Sequence, residues 1–156
     1  MPPLSPEELV IIQHLLIEDE GLEQFPYFDC CGKPFRKCQC KNQGKLTIGV
    51  GRNIEDVGLS ENECIGLEIN DIKRVGALLE RSFPWFRMMS TPRRVVIVSM
   101  CFNLGLQGFK EFKKMIRCIE SGDFSSAAKE MLNSKWASDV KERATRLAGI
   151  MRAGQF

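Results

Sequence analysis

The sequence has no apolar run approaching the ~20 residues that span a bilayer, so no stable membrane insertion is expected. Its opening, Met1-Pro2-Pro3-Leu4-Ser5-Pro6-Glu7-Glu8, lacks the basic segment and small-residue cleavage site of a secretory signal. The expectation is synthesis and folding in a cytoplasm, with another agent needed if the substrate lies outside it. Internal repeats and low-complexity segments are absent. Net charge is small, +2 over 156 residues, which argues against a nucleic-acid partner. The single histidine, His14, lies on the first helical segment beside apolar positions and is read as a surface or partly buried residue, not a catalyst. The cysteine number is seven; being odd, it excludes a complete set of intramolecular disulfides.

A hydrophobic content of 44% and a charged content of 27% are ordinary for a globular protein. A chain of this length buries a core without staples and is read as one domain over residues 1–156, a monomer. Charge is nevertheless uneven. Lys33, Arg36, Lys37, Lys41 and Lys45 face Asp29 alone between residues 29 and 46, and the tail beyond residue 134 is also basic. Such a surface attracts an anionic polymer, although most of these lysines read as solvated charge. Cys64, Cys101 and Cys118 sit in helical apolar patterns and read as buried small hydrophobes. Cys30, Cys31, Cys38 and Cys40 cluster in the basic segment as C-C-x6-C-x-C. That spacing lacks the paired C-x2-C knuckles of a zinc site. Free thiols or redox-dependent disulfides rank ahead of a metal, and neither metal nor cofactor is assigned.

Helix signals are clear. Ser5-Pro6-Glu7-Glu8 combines an N-cap, a first-position proline and a capping box, followed by Leu9, Ile12, Leu15 and Leu16 at helical spacing. Gly21 suits the far end. Residues 22–59 lose helical periodicity, and Leu46–Val50 is strand-like, giving a small sheet lobe over about 21–59 with an extended hairpin loop near 30–45. Ser60-Glu61-Asn62-Glu63 is a second capping box, opening a long linking helix over about 60–81. The remainder, about 82–156, reads as a helical bundle joined by helix 6–19. Within it, Val95, Val96, Ile97, Val98, Met100, Cys101 and Phe102 are apolar nearly all round, as in a buried central helix. The fold class is α+β, mainly α.

Chemistry concentrates at Glu20, Asp29 and Thr47. Glu20 falls at a helix C-terminus, where the dipole disfavours a negative charge, as suits a proton donor. Asp29 follows on a short aromatic-lined connection, and Thr47 lies on a Gly-rich strand, Thr47-Ile48-Gly49-Val50-Gly51. Two carboxylates flanking a cleft are what glycosidic acid/base chemistry requires. Without the threonine motif, both acids would read as ordinary surface charges.

Taken in order, Glu20-Gly21-Leu22, Asp29, Thr47-Ile48-Gly49-Val50-Gly51, Arg93-Arg94, Phe102-Asn103-Leu104-Gly105, Phe109, Ser134-Lys135-Trp136 and Arg143-Ala144 resemble the phage-type lysozymes of glycoside hydrolase family 24, over about residues 9–154. The resemblance implies a lysozyme-like fold and a muramidase that hydrolyses the β-1,4 bond between N-acetylmuramic acid and N-acetylglucosamine in bacterial peptidoglycan. It implies Glu20 as general acid, Asp29 as the carboxylate across the sugar ring, and Thr47 as the residue positioning water with Asp29. Asn103 and Phe102 fall on the substrate cleft, and Arg143 falls where an arginine braces the acid. The expected setting is a phage or prophage endolysin, held in the host bacterial cytoplasm until release to the wall.

Three departures stand out. An insertion from Cys30 to about Lys41 lengthens the hairpin loop. Arg52-Asn53 replaces a histidine after the Gly-x-Gly, and with Asp71 matching that histidine's partner, an Arg52–Asp71 ion pair is expected to link the lobes. Asn103 replaces a longer glutamine. Two rival functions remain: a lytic transglycosylase, against which the presence of both Asp29 and Thr47 argues, and a wall-binding virion component without activity. Among individual residues, Asn103 also reads as a helix-ending amide, Arg143 as a partner of a helix carboxylate, and Trp85 and Trp136 as core.

Overall fold

The computed structural model describes residues 4–156, apart from the side chain of Phe35. The chain divides into two compact units, Met1–Cys64 and Ile65–Phe156. The first holds α1 (Pro6–Glu20) and a three-stranded antiparallel sheet, β1 (Glu23–Phe28), β2 (Leu46–Gly49) and β3 (Arg52–Asn53), in the order β1-β2-β3. A long helix α2 (Glu61–Ser82) begins at its end, and the boundary between units falls in that helix's first turn. The second unit adds α3 (Thr91–Lys110), α4 (Lys113–Glu120), α5 (Phe124–Leu132), α6 (Lys135–Val140) and α7 (Glu142–Ala153). No helix among the described residues is long and apolar enough to cross a membrane. This is the mainly helical α+β class expected.

Helix starts follow the capping residues. The Ser5 hydroxyl accepts the Glu8 N–H while Glu8 accepts the Ser5 N–H, closing the capping box. Ser60 and Glu63 do the same for α2. Asp123 accepts the Ser126 N–H at the start of α5, and Ser134 the Ala137 N–H at the start of α6. α3 differs: Ser90 holds the N-cap position without a side-chain bond, and Pro92 supplies the pre-set backbone. α3 is also interrupted at Gly105, whose φ of 70° and ψ of 163° are outside helical geometry and open essentially to glycine alone.

The core belongs to the second unit. Leu79, Phe86, Val96, Ile97, Met100, Phe109, Met131 and Met151 are all at most 1% exposed. α7 packs on α3 and α5, and Phe109 meets Phe83 edge-on with centroids 5.6 Å apart. Arg93 closes the far end of α7. It donates to the Met151 and Arg152 carbonyls at 2.9 and 3.3 Å and lies 3.6 Å from the centre of the Phe124 ring, joining carbonyl capping to a cation–π contact.

Two burial expectations change. α3 is not apolar all round in use: Val95 and Phe102 are each 43% exposed, because the helix buries one broad face only. Cys64 is exposed, since it falls in the polar first turn of α2, whereas Cys101 is buried and Cys118 half-buried. In the first unit the balance reverses. No residue of α1 is buried, and Thr47 is the one buried residue among its described side chains.

Candidate active site

The first unit holds all three residues that the sequence assigns to catalysis, Glu20, Asp29 and Thr47. Glu20 ends α1, and Gly21 turns the chain with a positive φ while its N–H bonds the Ile17 carbonyl. The Glu20 carboxylate reaches the β2–β3 turn: a β-carbon on Gly51 would stand 3.6 Å from Glu20 Oε2. Glu20 is exposed, as a group that meets an external substrate must be.

Asp29 and Thr47 come together through register. Tyr27 pairs with Thr47 and Phe28 with Leu46, and the ladder continues as the Asp29 N–H donates to the Lys45 carbonyl at 3.2 Å. Opposed residues share a face, as do residues two apart. Tyr27, Asp29, Lys45 and Thr47 therefore lie on one face of the β1–β2 ribbon. The Asp29 carboxylate is fixed by the Lys45 backbone N–H, which donates to Oδ1 at 2.8 Å. The Thr47 hydroxyl donates to the Lys45 carbonyl at 3.1 Å. That spends its hydrogen and leaves its lone pairs as acceptors. This face therefore carries two acceptors, a carboxylate and a hydroxyl oxygen.

Sequence reasoning missed two participants. Gly44 packs against the acid: a β-carbon there would overlap Asp29 Oδ1 and lie 2.7 Å from the Cys30 nitrogen. Nothing in a lone glycine before a strand announces this. Lys45 acts through its main chain, which a reading of side chains passes over. Its ammonium meanwhile pairs with Asp56 at 2.7 Å and Glu55 at 3.4 Å. The Asp56 partner raises the Lys45 pKa, and Lys45, aided by Asn53, lowers that of Asp56.

The expected Arg52–Asp71 pair is not formed. Arg52 forks onto Glu63 at 2.6 and 3.2 Å and donates twice to the Gly58 carbonyl. Asp71 pairs instead with Arg74 at 2.9 Å. Glu63 prevails because Ser60 already orients it at the start of α2, about two turns before Asp71. Its carboxyl is held below the usual value first by the Ser60 hydroxyl and N–H, then by Arg52.

In the second unit, Phe102, Asn103 and Arg143 line one cavity of about 820 Å3, together with Glu68, Ser99 and Arg94. Arg143 donates to Ser99 Oγ at 2.9 Å. Asn103 Oδ1 accepts the indole N–H of Trp136 at 3.0 Å, which fixes the orientation of an exposed amide. Trp136 is core, 5% exposed. The cysteine spacing assigns no metal, but Cys30, Cys31, Cys38 and Cys40 converge, their sulfurs all within 4.8 Å of one another.

Comparison with known proteins places the chain among relatives. The chain is 29% identical over 44% of its length to a probable T4-type lysozyme 1 of Dictyostelium discoideum, covering 41% of that protein. Probable T4-type lysozyme 2 of the same organism matches at 26% with the same coverage. Over 91% of its length it is 24% identical to the pre-baseplate central spike protein Gp5 of Enterobacteria phage T4, covering 28% of it. The chain thus spans less than half the length of these curated relatives. The family model for phage lysozyme matches residues 20–153, starting at the glutamate that ends α1 and running through α7, and the chain belongs to the phage lysozyme family.

Proposed function

We propose that this protein is a peptidoglycan hydrolase, a muramidase that cleaves the β-1,4 bond between N-acetylmuramic acid and N-acetylglucosamine with inversion. The observation that carries the reading is the shared ribbon face of Asp29 and Thr47, with the Asp29 carboxylate fixed by the Lys45 N–H and the buried Thr47 bonded to the Lys45 carbonyl. Family membership supports it. Glu20 protonates the leaving glycosidic oxygen. Asp29 and Thr47 accept the two hydrogens of a water, and one lone pair of its oxygen attacks the anomeric carbon from the opposite face. Asp29 takes the proton as the bond forms, and the reaction needs no covalent enzyme intermediate. Asn103, Phe102 and Arg143 are assigned to holding the glycan in the cavity of the second unit.

The test is clearing of a cell-wall suspension by wild type, Glu20→Gln and Asp29→Asn, with the product anomer followed by NMR. Loss of the acid lowers the rate by ~10²–10⁴-fold, and the first-formed product has inverted configuration. Near wild-type clearing by Glu20→Gln would overturn the assignment. Mass spectrometry of the fragments separates hydrolysis, which adds a water, from a transglycosylase, which leaves an anhydro-sugar.

The setting we favour is an endolysin that waits in the host cytoplasm and is released to the wall. A second reading draws on the likeness to a central spike protein over 91% of this chain: a lysozyme carried on the virion. Detection of the chain in washed particles would favour that setting.

A further inference from the structure

The insertion that follows Asp29 gathers four cysteines. Its path reverses twice. Cys31 and Gly32 donate backbone N–H groups to the Phe28 carbonyl at 3.3 and 3.0 Å, and Gly32 takes a φ of +64°. Tyr27 bridges to Pro34, and a 3-10 turn over Phe35–Lys37 brings the chain back. The result sets Cys38 beside both members of the Cys30-Cys31 pair, with sulfur–sulfur separations of 3.7 Å to each. Cys40 completes a group whose four sulfurs lie within 4.8 Å of one another.

We propose that Cys30, Cys31, Cys38 and Cys40 form a structural zinc site with four thiolate ligands. Tetrahedral zinc with Zn–S bonds of about 2.3 Å has sulfur–sulfur edges of ~3.8 Å, close to both measured separations. A disulfide framework gives each sulfur one partner; here Cys38 has two equivalent neighbours at 3.7 Å, and all four sulfurs lie within 4.8 Å of one another. Four thiolates on a dication carry net negative charge, and the same loop supplies Lys33, Arg36, Lys37 and Lys41. The need is also evident: no apolar side chain described in the first unit is buried, and units without a core are held by staples such as metals. On binding, four S–H protons leave to solvent and four Zn–S bonds form, with no change of oxidation state.

The test uses the full chain purified under reducing conditions without chelator. The expected result is one zinc per chain by elemental analysis and native mass spectrometry. Replacement by Co(II) gives the visible absorption of a tetrahedral thiolate complex. Cys38→Ser weakens metal binding by more than the ~10–100-fold that loss of an outer hydrogen bond costs, whereas Cys64→Ser leaves it unchanged. Wild-type metal content and the Co(II) spectrum decide the matter even where Cys38→Ser fails to fold. A reduced, folded protein that retains no zinc and reacts at all four thiols as fast as at Cys64 overturns the proposal. So does a purified chain lighter by four hydrogens, which is the mass of two disulfides. Neither readout depends on the hydrolase reading.

Discussion

The two units of this chain solve opposite problems. Residues 65–156 bury a continuous set of side chains from Leu79 to Met151. Residues up to 64 bury only Thr47 among their described side chains, yet hold all three residues assigned to the chemistry. The helical unit is specified by what it excludes from water. The sheet unit is specified by hydrogen bonds, turns and register. Damage should therefore appear as lost stability in the one and as lost geometry in the other.

The sharpest break is expected in the core. Phe109→Ala removes a fully buried ring and should cost about 3–5 kcal/mol, seen as an earlier midpoint in urea unfolding. Thr47→Val should do the reverse. Wall clearing falls ~10²-fold through loss of the water's second acceptor, with a stability cost of only about 1 kcal/mol for the Lys45 bond. Equal losses of stability in the two variants would erase the contrast. Gly44→Ala comes next: its β-carbon displaces the Asp29 carboxylate, and steady-state kinetics should show kcat lowered about tenfold or more with the helical signal intact.

Acid sensitivity should also appear at the end of the first unit. Glu63 titrates in the folded protein below its ordinary 4.5. Its stabilisation is full above that value and is lost as pH falls through the depressed folded pKa. Glu63→Gln should flatten the dependence of Tm on pH in that acid window and leave neutral pH nearly untouched. The smallest effect is expected at the α6–α7 joint. Lys141 is the one non-glycine at positive φ among the described residues, with φ 50°. Lys141→Gly should relieve about 1 kcal/mol of backbone strain, raising Tm by a few degrees in calorimetry.

What the chain discloses in advance follows the same division. Local signals suffice where the physics is local. Ser5 with Glu8, and Ser60 with Glu63, mark their helix starts, Gly21 marks the end that carries Glu20, and the alternation around Thr47 marks β2. Signals fail where the outcome depends on a choice among distant partners. Arg52 has two acids of like chemistry on α2, and only the folded path selects the one that Ser60 has already oriented. The apolar residues of α3 give no sign that Val95 and Phe102 stay open. The cysteine spacing matches no common metal pattern, because the convergence of the four sulfurs is produced by a turn and a short 3-10 segment between them. Gly44 carries no chemical label at all; its importance is the space that it leaves.

Lys45 extends that point. Its N–H holds Asp29, its carbonyl receives both the Asp29 N–H and the Thr47 hydroxyl, and its ammonium is occupied elsewhere. The hold on Asp29 is indifferent to the side chain written there. Any residue with an amide hydrogen can carry the same duty, and proline alone is barred. A hairpin of this kind can change the side chain at that residue and still hold Asp29, because what the hold needs is a stretch of main chain and not an amino acid.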